Sequence, residues 1–202
     1  MKYLFKLFVA GLLLLSCSTD RPEKDCETYA EAPDPDTTFI NWSMVKGLNC
    51  SFGSIDKRYN KREVPDLTPV SDWKGAGWRG ERLSVQIVLW SDKDIEQVEI
   101  EFTPFKSASG SKIDKSIAQA HFVRYVLTDE FANGCGYRKP ENFSVSLSAD
   151  ILDNAECMEI KANTTQPVWL TFRIPATAEP GFYKGELFIY GRGEKKRKMN
   201  IS

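Results

Sequence analysis

Short runs in which apolar and polar residues alternate recur along the chain from Phe39 onward. The pattern is clear in "VEIEF" (98–102) and "FSVSLS" (143–148). It also governs "VWLTFRI", whose apolar side consists of Val168, Leu170, Phe172 and Ile174. A period of two places neighbouring side chains on opposite faces of a strand, and one polar face is typical of antiparallel sheets. The pattern predicts an all-β fold, an antiparallel, jelly-roll-like β-sandwich.

Other stretches refine this prediction. In "LSVQIVLW" the residues Val85, Ile87 and Leu89 share one face, but Val88 and Trp90 make the second face apolar as well. The separators "SASGS", "NGCG" and "AEPGFYKG" have the composition of turns, and only "SKIDKSIAQA" is suited to a helical turn. Proline lacks a backbone donor, so Pro175 should end the strand before it, and Gly185 predicts a bulge or a close backbone approach.

The N-terminus has a different pattern. Two lysines precede an apolar run over 7–15, which is too short for a stable membrane span and has the proportions of a secretory signal. The run ends in Leu14-Leu15-Ser16-Cys17, which resembles the lipobox of bacterial lipoproteins. The alternatives are an ordinary cleaved signal or a buried apolar segment. The resemblance implies a signal peptide over 1–16 and lipid chains on Cys17 that anchor the protein to a membrane.

Three segments follow from this interpretation. Residues 17–38 are polar, acidic and contain prolines, which predicts an acylated N-terminus followed by a flexible, disordered tether. Residues 39–202 form the predicted sandwich domain. The expected location is the bacterial outer membrane or cell surface, with the periplasmic side as an alternative. The net charge is −1, and removal of the signal makes it more negative, so the composition does not indicate a nucleic-acid partner.

Cysteine use agrees with export to an oxidising compartment. Besides Cys17 there are four cysteines, which allow three pairings: Cys26, Cys50, Cys135 and Cys157. We favour Cys135–Cys157, because each lies near a predicted strand end or in an adjoining loop. Cys26–Cys50 would then tie the tether to the first strand. No Cys-x-x-Cys pair occurs and the single histidine is His121, so we expect neither a structural zinc ion nor another cofactor.

Three longer stretches carry a family resemblance. They are "DWKGAGWRGERLSVQIVLWS" (72–91), "FVRYVLTDEFANGCGYRKPE" (122–141) and "QPVWLTFRIPATAEPGFYKGELFI" (166–189). Their order and spacing resemble the N-terminal β-sandwich domain of glycoside hydrolase family 123 and its lipoprotein relatives, from about Trp42 to the end. Members of that family resemble two-domain enzymes in which a larger (β/α) barrel follows. The barrel's adjacent Asp-Glu pair serves substrate-assisted hydrolysis of terminal β-linked N-acetylgalactosamine.

The resemblance implies that this chain is the accessory module and lacks the barrel. Asp129-Glu130 is also an adjacent acidic pair, but it lies within the sandwich pattern, so we transfer no catalytic role to it. No serine or cysteine has the setting of an activated nucleophile, and one histidine makes a triad improbable. We therefore expect no catalytic residue in this chain. Full-length relatives resemble β-N-acetylgalactosaminidases, and the alternative function is a stand-alone lipoprotein that binds glycans at the cell surface.

Aromatic and charged residues give the candidate contact sites. "GAGWRGERLS" (75–84) offers Trp78, Arg79 and Glu81 as a surface for a second domain or for sugar. A structural role is the other interpretation, with Trp78 in the core and Arg79–Glu81 as a loop ion pair. Trp169 lies on the predicted polar face, where an exposed ring suits sugar stacking or a protein interface. The alternative interpretation is that a loop or a neighbouring domain covers this ring. Trp73 is a further candidate for either contact.

Three further motifs have simpler interpretations. His121 shares its predicted face with Val123, Tyr125 and Leu127, which indicates a buried, hydrogen-bonded imidazole. "GRGEKKRKMN" lies between two strand segments and predicts a solvated hairpin loop. "GAGWRG" has the G-x-G-x-x-G spacing but precedes a strand, so it does not indicate a phosphate site.

Overall fold

The computed structural model describes residues 22–24, 26, 30–128 and 145–202. These residues form twelve strands and one short 3₁₀ helix. The strands are β1 (Asn49–Gly53), β2 (Asp72–Trp73), β3 (Arg82–Ser91), β4 (Ile95–Phe102), β5 (Phe105–Ser107), β6 (Lys112–Ile113), β7 (Ala118–Thr128), β8 (Ser146–Asp153), β9 (Cys157–Ile160), β10 (Thr164–Arg173), β11 (Tyr183–Tyr190) and β12 (Arg197–Ile201). The 3₁₀ helix, Lys115–Ile117, lies in the stretch predicted to hold a helical turn and begins after the capping residue Asp114.

Two sheets form the predicted sandwich. The first has the order β1-β3-β10-β7-β8, and the second has the order β2-β12-β11-β4-β9. The short strands β5 and β6 extend the second sheet beside β11. All pairs are antiparallel except β12 with β2, which is parallel. The antiparallel β-sandwich prediction is therefore confirmed.

The main core lies between the sheets and follows the alternation in the sequence. Every second residue of β3 and β10 is buried there, including Val85, Ile87, Leu89, Val168 and Leu170. From the other sheet, β4 and β11 contribute their own alternate residues, including Val98, Leu187 and Ile189. A strand of period two can bury one face on its partner sheet while the other face turns outward.

A second apolar cluster explains why β3 is hydrophobic on both faces. Val88 and Trp90 point away from the main core and pack with Trp42, Val45 and Tyr59. The segment before β1 and the loop after it therefore cover the outer face of the first sheet. Because of this cover the side chain of Trp90 is buried and not exposed to solvent.

The predicted disulfide pairing is wrong. The structure joins Cys26 to Cys157, the first residue of β9, and leaves Cys50 as a free thiol in β1. Sequence proximity to a strand end did not reveal that the N-terminal segment lies beside β9. Cys135 lies outside the described residues, together with Asp129 and Glu130.

The described residues between 22 and 38 do not form the free tether that their composition predicts. Within the ranges 22–24, 26 and 30–38 there is no regular secondary structure, but this part of the chain is bonded to both sheets. Polar composition did not reveal that charged side chains of this segment have partners on the sandwich.

Two features that the sequence indicated lie in β11 and in the loop that follows it. "GRGEKKRKMN" contains the loop between β11 and β12, and Gly193 adopts a positive φ of 74° in it. Gly185 is needed for a close approach, because a Cβ atom there would lie 2.5 Å from the ring of Phe105. The approaching group is a side chain rather than another backbone.

Candidate functional site

An apolar groove of about 640 Å³ lies at one end of the sandwich. Its floor is formed by the ends of β2 and β10, and its walls by the loops over 74–81 and 174–182. Six aromatic residues belong to the lining: Trp73, Trp78, Phe105, Phe172, Phe182 and Tyr183. Ser202 also lines it, because β12 runs beside β2 and ends there.

Two glycines allow the loop over 74–81 to lie on this floor. A Cβ atom on Gly75 would lie 2.1 Å from the indole of Trp73, so only a residue without a side chain fits above that ring. A Cβ atom on Gly77 would lie 2.9 Å from Leu83. The backbone of Gly75 also donates to the carbonyl of Ser202 at 2.9 Å, which ties the loop to the end of β12.

Glu81 holds the tip of the same loop. Its carboxylate accepts the backbone N–H of Trp78 at 2.6 Å, and the N–H of Glu81 donates to the carbonyl of Trp78 at 3.1 Å. Backbone bonds from Gly80 to Ile174 and from Ile174 to Glu81 then join the turn to the end of β10. Glu81 therefore acts in the turn and presents Trp78, a role different from the predicted loop ion pair with Arg79.

The turn leaves large apolar side chains in contact with solvent. Trp78 is 81% exposed and Phe182, on the opposite wall, is 58% exposed. An isolated exposed apolar residue is common, but two large aromatic residues beside one apolar groove are typical of an interaction surface. Arg79 and Glu179 add charged groups to the rim.

The opposite wall is fixed by its own hydrogen bonds. The hydroxyl of Tyr183 donates to the carbonyl of Glu179 at 3.0 Å, and the hydroxyl of Ser111 donates to the Glu179 carboxylate. These bonds connect the loop before β11 to the hairpin of β5 and β6. The groove is therefore built from ordered loops whose positions are set by the sheets.

A polar groove of about 890 Å³ borders the apolar one and shares Phe182, Ile201 and Ser202 with it. Its charged lining comprises Asp72, Lys74, Lys106, Lys184 and Glu186. Hydrogen bonds from the side chains of Asn200 and then Ser71 lower the pKa of Asp72 from its usual value. The two grooves give this end of the module an apolar centre with a charged margin, as in many protein interfaces.

The structure brings Trp73, Trp78 and Arg79 together in one groove and places Glu81 in the turn that carries Trp78 and Arg79. Trp169 does not belong to this site. It lies in β10 between Gln86 and His121 of the neighbouring strands, on the face opposite to Phe172.

Trp169 is half-buried there because it packs against a third apolar cluster. Val123 and Tyr125 of this cluster are buried as predicted, whereas Leu127 is exposed. His121 is also half-buried, and its Nδ1 is buried without a hydrogen-bond partner among the described residues. The predicted hydrogen-bonded imidazole is therefore not found at this atom.

Sequence reasoning missed the second wall of the groove. Phe182 follows Pro180-Gly181 directly, and an aromatic residue beside a turn signal was an available indication of exposure. Phe105 and Leu83 gave no comparable signal, because only the packing of separate strands brings them beneath the loop over 74–81. Within the described ranges no group of three or more His, Cys, Asp or Glu side chains has a metal-binding arrangement, and no helix is long and apolar enough to cross a membrane.

Comparison with known proteins agrees with this architecture. The family model for the glycoside hydrolase 123 N-terminal domain matches residues 52–191, which is more than half of the chain. The chain belongs to the glycoside hydrolase 123 N-terminal domain family. The matched residues include β3 to β11 and both loops that form the walls of the groove in this family-123 domain. No curated protein sequence matches it.

A solved family-123 glycoside hydrolase from Clostridium perfringens, described for its hydrolysis of glycolipid glycans, has a similar fold. The TM-score is 0.67 at 22% identity, and the match covers 77% of this chain but 26% of that enzyme. The chain thus spans about a quarter of that enzyme's length. Sporulation control protein Spo0M from Bacillus subtilis has a TM-score of 0.30 at 7% identity, with 78% of this chain and 49% of that chain covered.

Proposed function

We propose that this domain is the non-catalytic N-terminal module of a lipid-anchored family-123 glycoside hydrolase. In such a protein a catalytic (β/α) barrel follows the module, and the family resemblance assigns to it the hydrolysis of terminal β-linked N-acetylgalactosamine. The observation that carries the proposal is the aromatic groove beside Ser202. A domain joined after Ser202 begins at the wall of this groove and can cover it without a long linker.

The composition of the groove supports a protein partner. Tryptophan, tyrosine, phenylalanine and arginine are the residue types enriched in interface centres, and Trp78, Phe182, Tyr183 and Arg79 all lie here. Burial of Trp78 and Phe182 under a neighbouring domain would remove their exposed apolar surface from water. At roughly 25 cal/mol per Å², such burial gives a favourable contribution to domain association.

The N-terminal anchor is the second part of the proposal. The Leu14-Leu15-Ser16-Cys17 sequence supports acylation of Cys17 after removal of residues 1–16. The anchored protein would act at the bacterial outer membrane or cell surface. The Cys26–Cys157 disulfide agrees with export, since such bonds persist in oxidising compartments.

A stand-alone glycan-binding module is the second candidate. It is favoured by the exposure of the Trp78 ring, with Arg79 beside it on the groove rim, because sugars stack on exposed aromatic faces and bond to nearby polar groups. This candidate requires that the groove remain open to solvent in the native protein. The first candidate requires that it be covered.

The intact mass of the native product separates the two. The protein is extracted from membranes, captured with an antibody to this module and measured by mass spectrometry. We expect a product several times larger than 22.9 kDa that carries lipid on Cys17 and hydrolyses a β-N-acetylgalactosaminide. A lipidated product near the mass of this chain would contradict the enzyme assignment and favour the glycan-binding module.

Paired variants then test the groove itself. In the full-length native protein, Trp78→Ala with Phe182→Ala should loosen the module from the catalytic domain and expose both to protease between the domains. Phe39→Ala is the matched control, because Phe39 is also a highly exposed aromatic residue but does not line the groove. Equal protease sensitivity of the groove variant and the control would contradict an interdomain role.

A further inference from the structure

The N-terminal segment binds to both sheets of the sandwich. We call its described part, residues 22–24, 26 and 30–38, the strap. It lies outside the residues that match the family model, so the family resemblance does not account for it. Four groups of contacts hold it, at β4, at β9, at β7 and at the loop after β1.

The first contact uses an irregular point in β4. The pairing of β4 with β9 shifts between Ile95 and Val98, and Gln97 has a positive φ of 50°. A residue other than glycine rarely adopts this conformation unless surrounding contacts hold it. Here the Gln97 amide donates to the carbonyl of Pro22 at 2.8 Å and accepts from Arg192 at 2.7 Å. The bulge thus aims a side chain at the beginning of the strap.

The second contact lies along β9, which has only β4 as a neighbour in the described sheet. The Cys26–Cys157 bond fixes the strap covalently to the first residue of this edge strand. Beside it, the ammonium of Lys24 lies 2.9 Å from the carboxylate of Glu99, whose side chain is 6% exposed. An ion pair at so buried a carboxylate is screened less by solvent than a surface pair.

The third contact fills a gap in the first sheet. Strand β10 contains Pro167, which has no N–H to donate, and its pairing with β7 ends beside it at Val168–Phe122. Beyond this point the Gln166 side chain bridges to the carbonyl of Val123 at 2.8 Å. Further along β7, past the last residue that pairs with β10, lies the backbone N–H of Tyr125.

Glu31 of the strap supplies the acceptor that the neighbouring strand does not. Its carboxylate accepts the N–H of Tyr125 at 3.0 Å and lies 2.5 Å from the ammonium of Lys61. The Glu31 side chain is 8% exposed, so water does not readily replace it as an acceptor. Further along, the guanidinium of Arg62 donates to the carbonyls of Asp36 and Thr38.

We propose that the strap is a locked part of the folded module which fixes where the N-terminal segment leaves the sandwich. That point is near Gln97 and Arg192, at the end of β11 opposite to the aromatic groove. The eight residues of β11 separate the two ends by roughly 27 Å at about 3.4 Å per residue. The module is then a rigid spacer whose N-terminal exit lies at the end opposite to Ser202.

This inference rests on the proposed function only for its biological consequence. If Cys17 is the anchor, four residues lie between it and Pro22, so the five steps from Cys17 to Pro22 reach about 17 Å when extended. A free tether up to Phe39 would reach about 75 Å. The strap would therefore keep the module close to the membrane and hold its groove on the far side.

Disulfide mapping and hydrogen exchange test the strap in the full chain, purified under non-reducing conditions. We expect a linked peptide pair that contains Cys26 and Cys157, and protection of the Tyr125 amide. Glu31→Ala should accelerate exchange at Tyr125 about tenfold or more. Asp56→Ala, which removes an exposed carboxylate from the loop after β1, should leave that rate unchanged. A different linkage, or equal rates for both variants, would overturn the proposal.

A distance measurement tests the spacer. Noncanonical amino acids at positions 23 and 202 carry a donor and an acceptor fluorophore, and energy transfer is recorded for single molecules. We expect one narrow distance distribution that broadens when Cys26→Ser, Cys157→Ser and Glu31→Ala are combined. The same broad distribution in both proteins would show that the strap does not fix the N-terminal exit. Neither experiment needs lipid or a catalytic domain, so either proposal can fail without the other.

Discussion

The indole of Trp73 stacks on the phenyl ring of Phe172, with ring centroids 6.2 Å apart and planes inclined by 17°. Trp73 belongs to β2 at the edge of one sheet, and Phe172 belongs to β10 within the other. The pair therefore joins the two sheets at the end of the sandwich and forms the floor of the aromatic groove. Phe102 and Phe105 meet Phe172 edge-on at 5.9 and 5.8 Å, which completes the packing below the floor.

Trp73 and Trp78 should differ in their effect on the isolated module. Trp73→Ala removes a ring packed on Phe172 and should lower the free energy of unfolding by about 2–3 kcal/mol. Trp78→Ala removes an exposed ring and should change it by less than about 0.5 kcal/mol. Denaturant unfolding of both variants measures the difference. An equal loss for both would show that Trp78 supports the fold rather than a partner.

Gly75 should be intolerant of a side chain. Gly75→Ala places a Cβ atom 2.1 Å from the Trp73 ring, so the loop or the ring must move, at a cost of about 1–3 kcal/mol. Gly181→Ala is the matched control in the opposite wall, because its Cβ atom would lie 3.7 Å from Tyr183, an ordinary contact. Thermal unfolding and the indole NMR signal of Trp73 report the change. A Gly75 variant as stable as the control would contradict the close packing.

Cys50 should make stability depend on pH in the alkaline range. Burial raises the pKa of its thiol from 9.0 to about 11, against a smaller opposing effect of Arg197. The folded state then holds the proton more tightly than the unfolded state, so the stabilisation is complete below pH 9 and is lost as the pH rises towards 11. Relative to Cys50→Ala, the native chain should lose roughly 2 kcal/mol between pH 8 and 10.5.

The Cys50→Ala chain serves as the reference in that experiment because tyrosines and lysines titrate over the same range in both proteins. Denaturant unfolding at each pH provides the two stability curves. Parallel curves would show that the thiol is not shielded from water. Alkylation by iodoacetamide at pH 8 should also be slow in the folded chain, since the thiolate is the reactive form.

The hydroxyl of Tyr125 should stabilise the cover on the outer face of the first sheet. It is fully buried and bonds to the carbonyls of Tyr59 and Thr165 at 3.0 and 2.9 Å. Tyr125→Phe leaves both carbonyls without this donor and should cost about 1–2 kcal/mol in unfolding free energy. Tyr183→Phe, which removes an exposed hydroxyl, should cost less than about 0.5 kcal/mol. Similar losses in the two variants would contradict this role.

Local sequence patterns predicted the strands and the turns, because the preferences of residues for strands and turns depend on their neighbours in sequence. The alternation around Val168, Leu170 and Phe172 identified the buried face of β10, and the apolar second face of β3 was visible at Val88 and Trp90. Trp73, Trp78 and Arg79 were also candidate contact residues from the sequence, in which they lie close together. Such features depend on neighbours in sequence.

Contacts between distant segments were not predictable in the same way. The opposite wall with Phe182, the Cys26–Cys157 bond and the Glu31–Tyr125 contact each join parts of the chain more than 90 residues apart. Trp169 shows the same limit, because the cluster beneath its ring comes from β7 and β8. The polar composition of residues 17–38 is compatible both with a free tether and with a strap whose charged side chains have partners on the sandwich.

The sequence by itself therefore determined the all-β class, the buried faces of the strands and the family of this domain. The alternation of apolar and polar side chains and the residue preferences of turns depend on neighbouring residues, so the sequence predicts them without knowledge of the fold. Only the tertiary structure decided that Trp73 forms the floor of a groove, that Trp169 lies apart from it, and that Cys26 is bonded to β9. These outcomes depend on which strands become neighbours, and that is set by the packing of the whole chain.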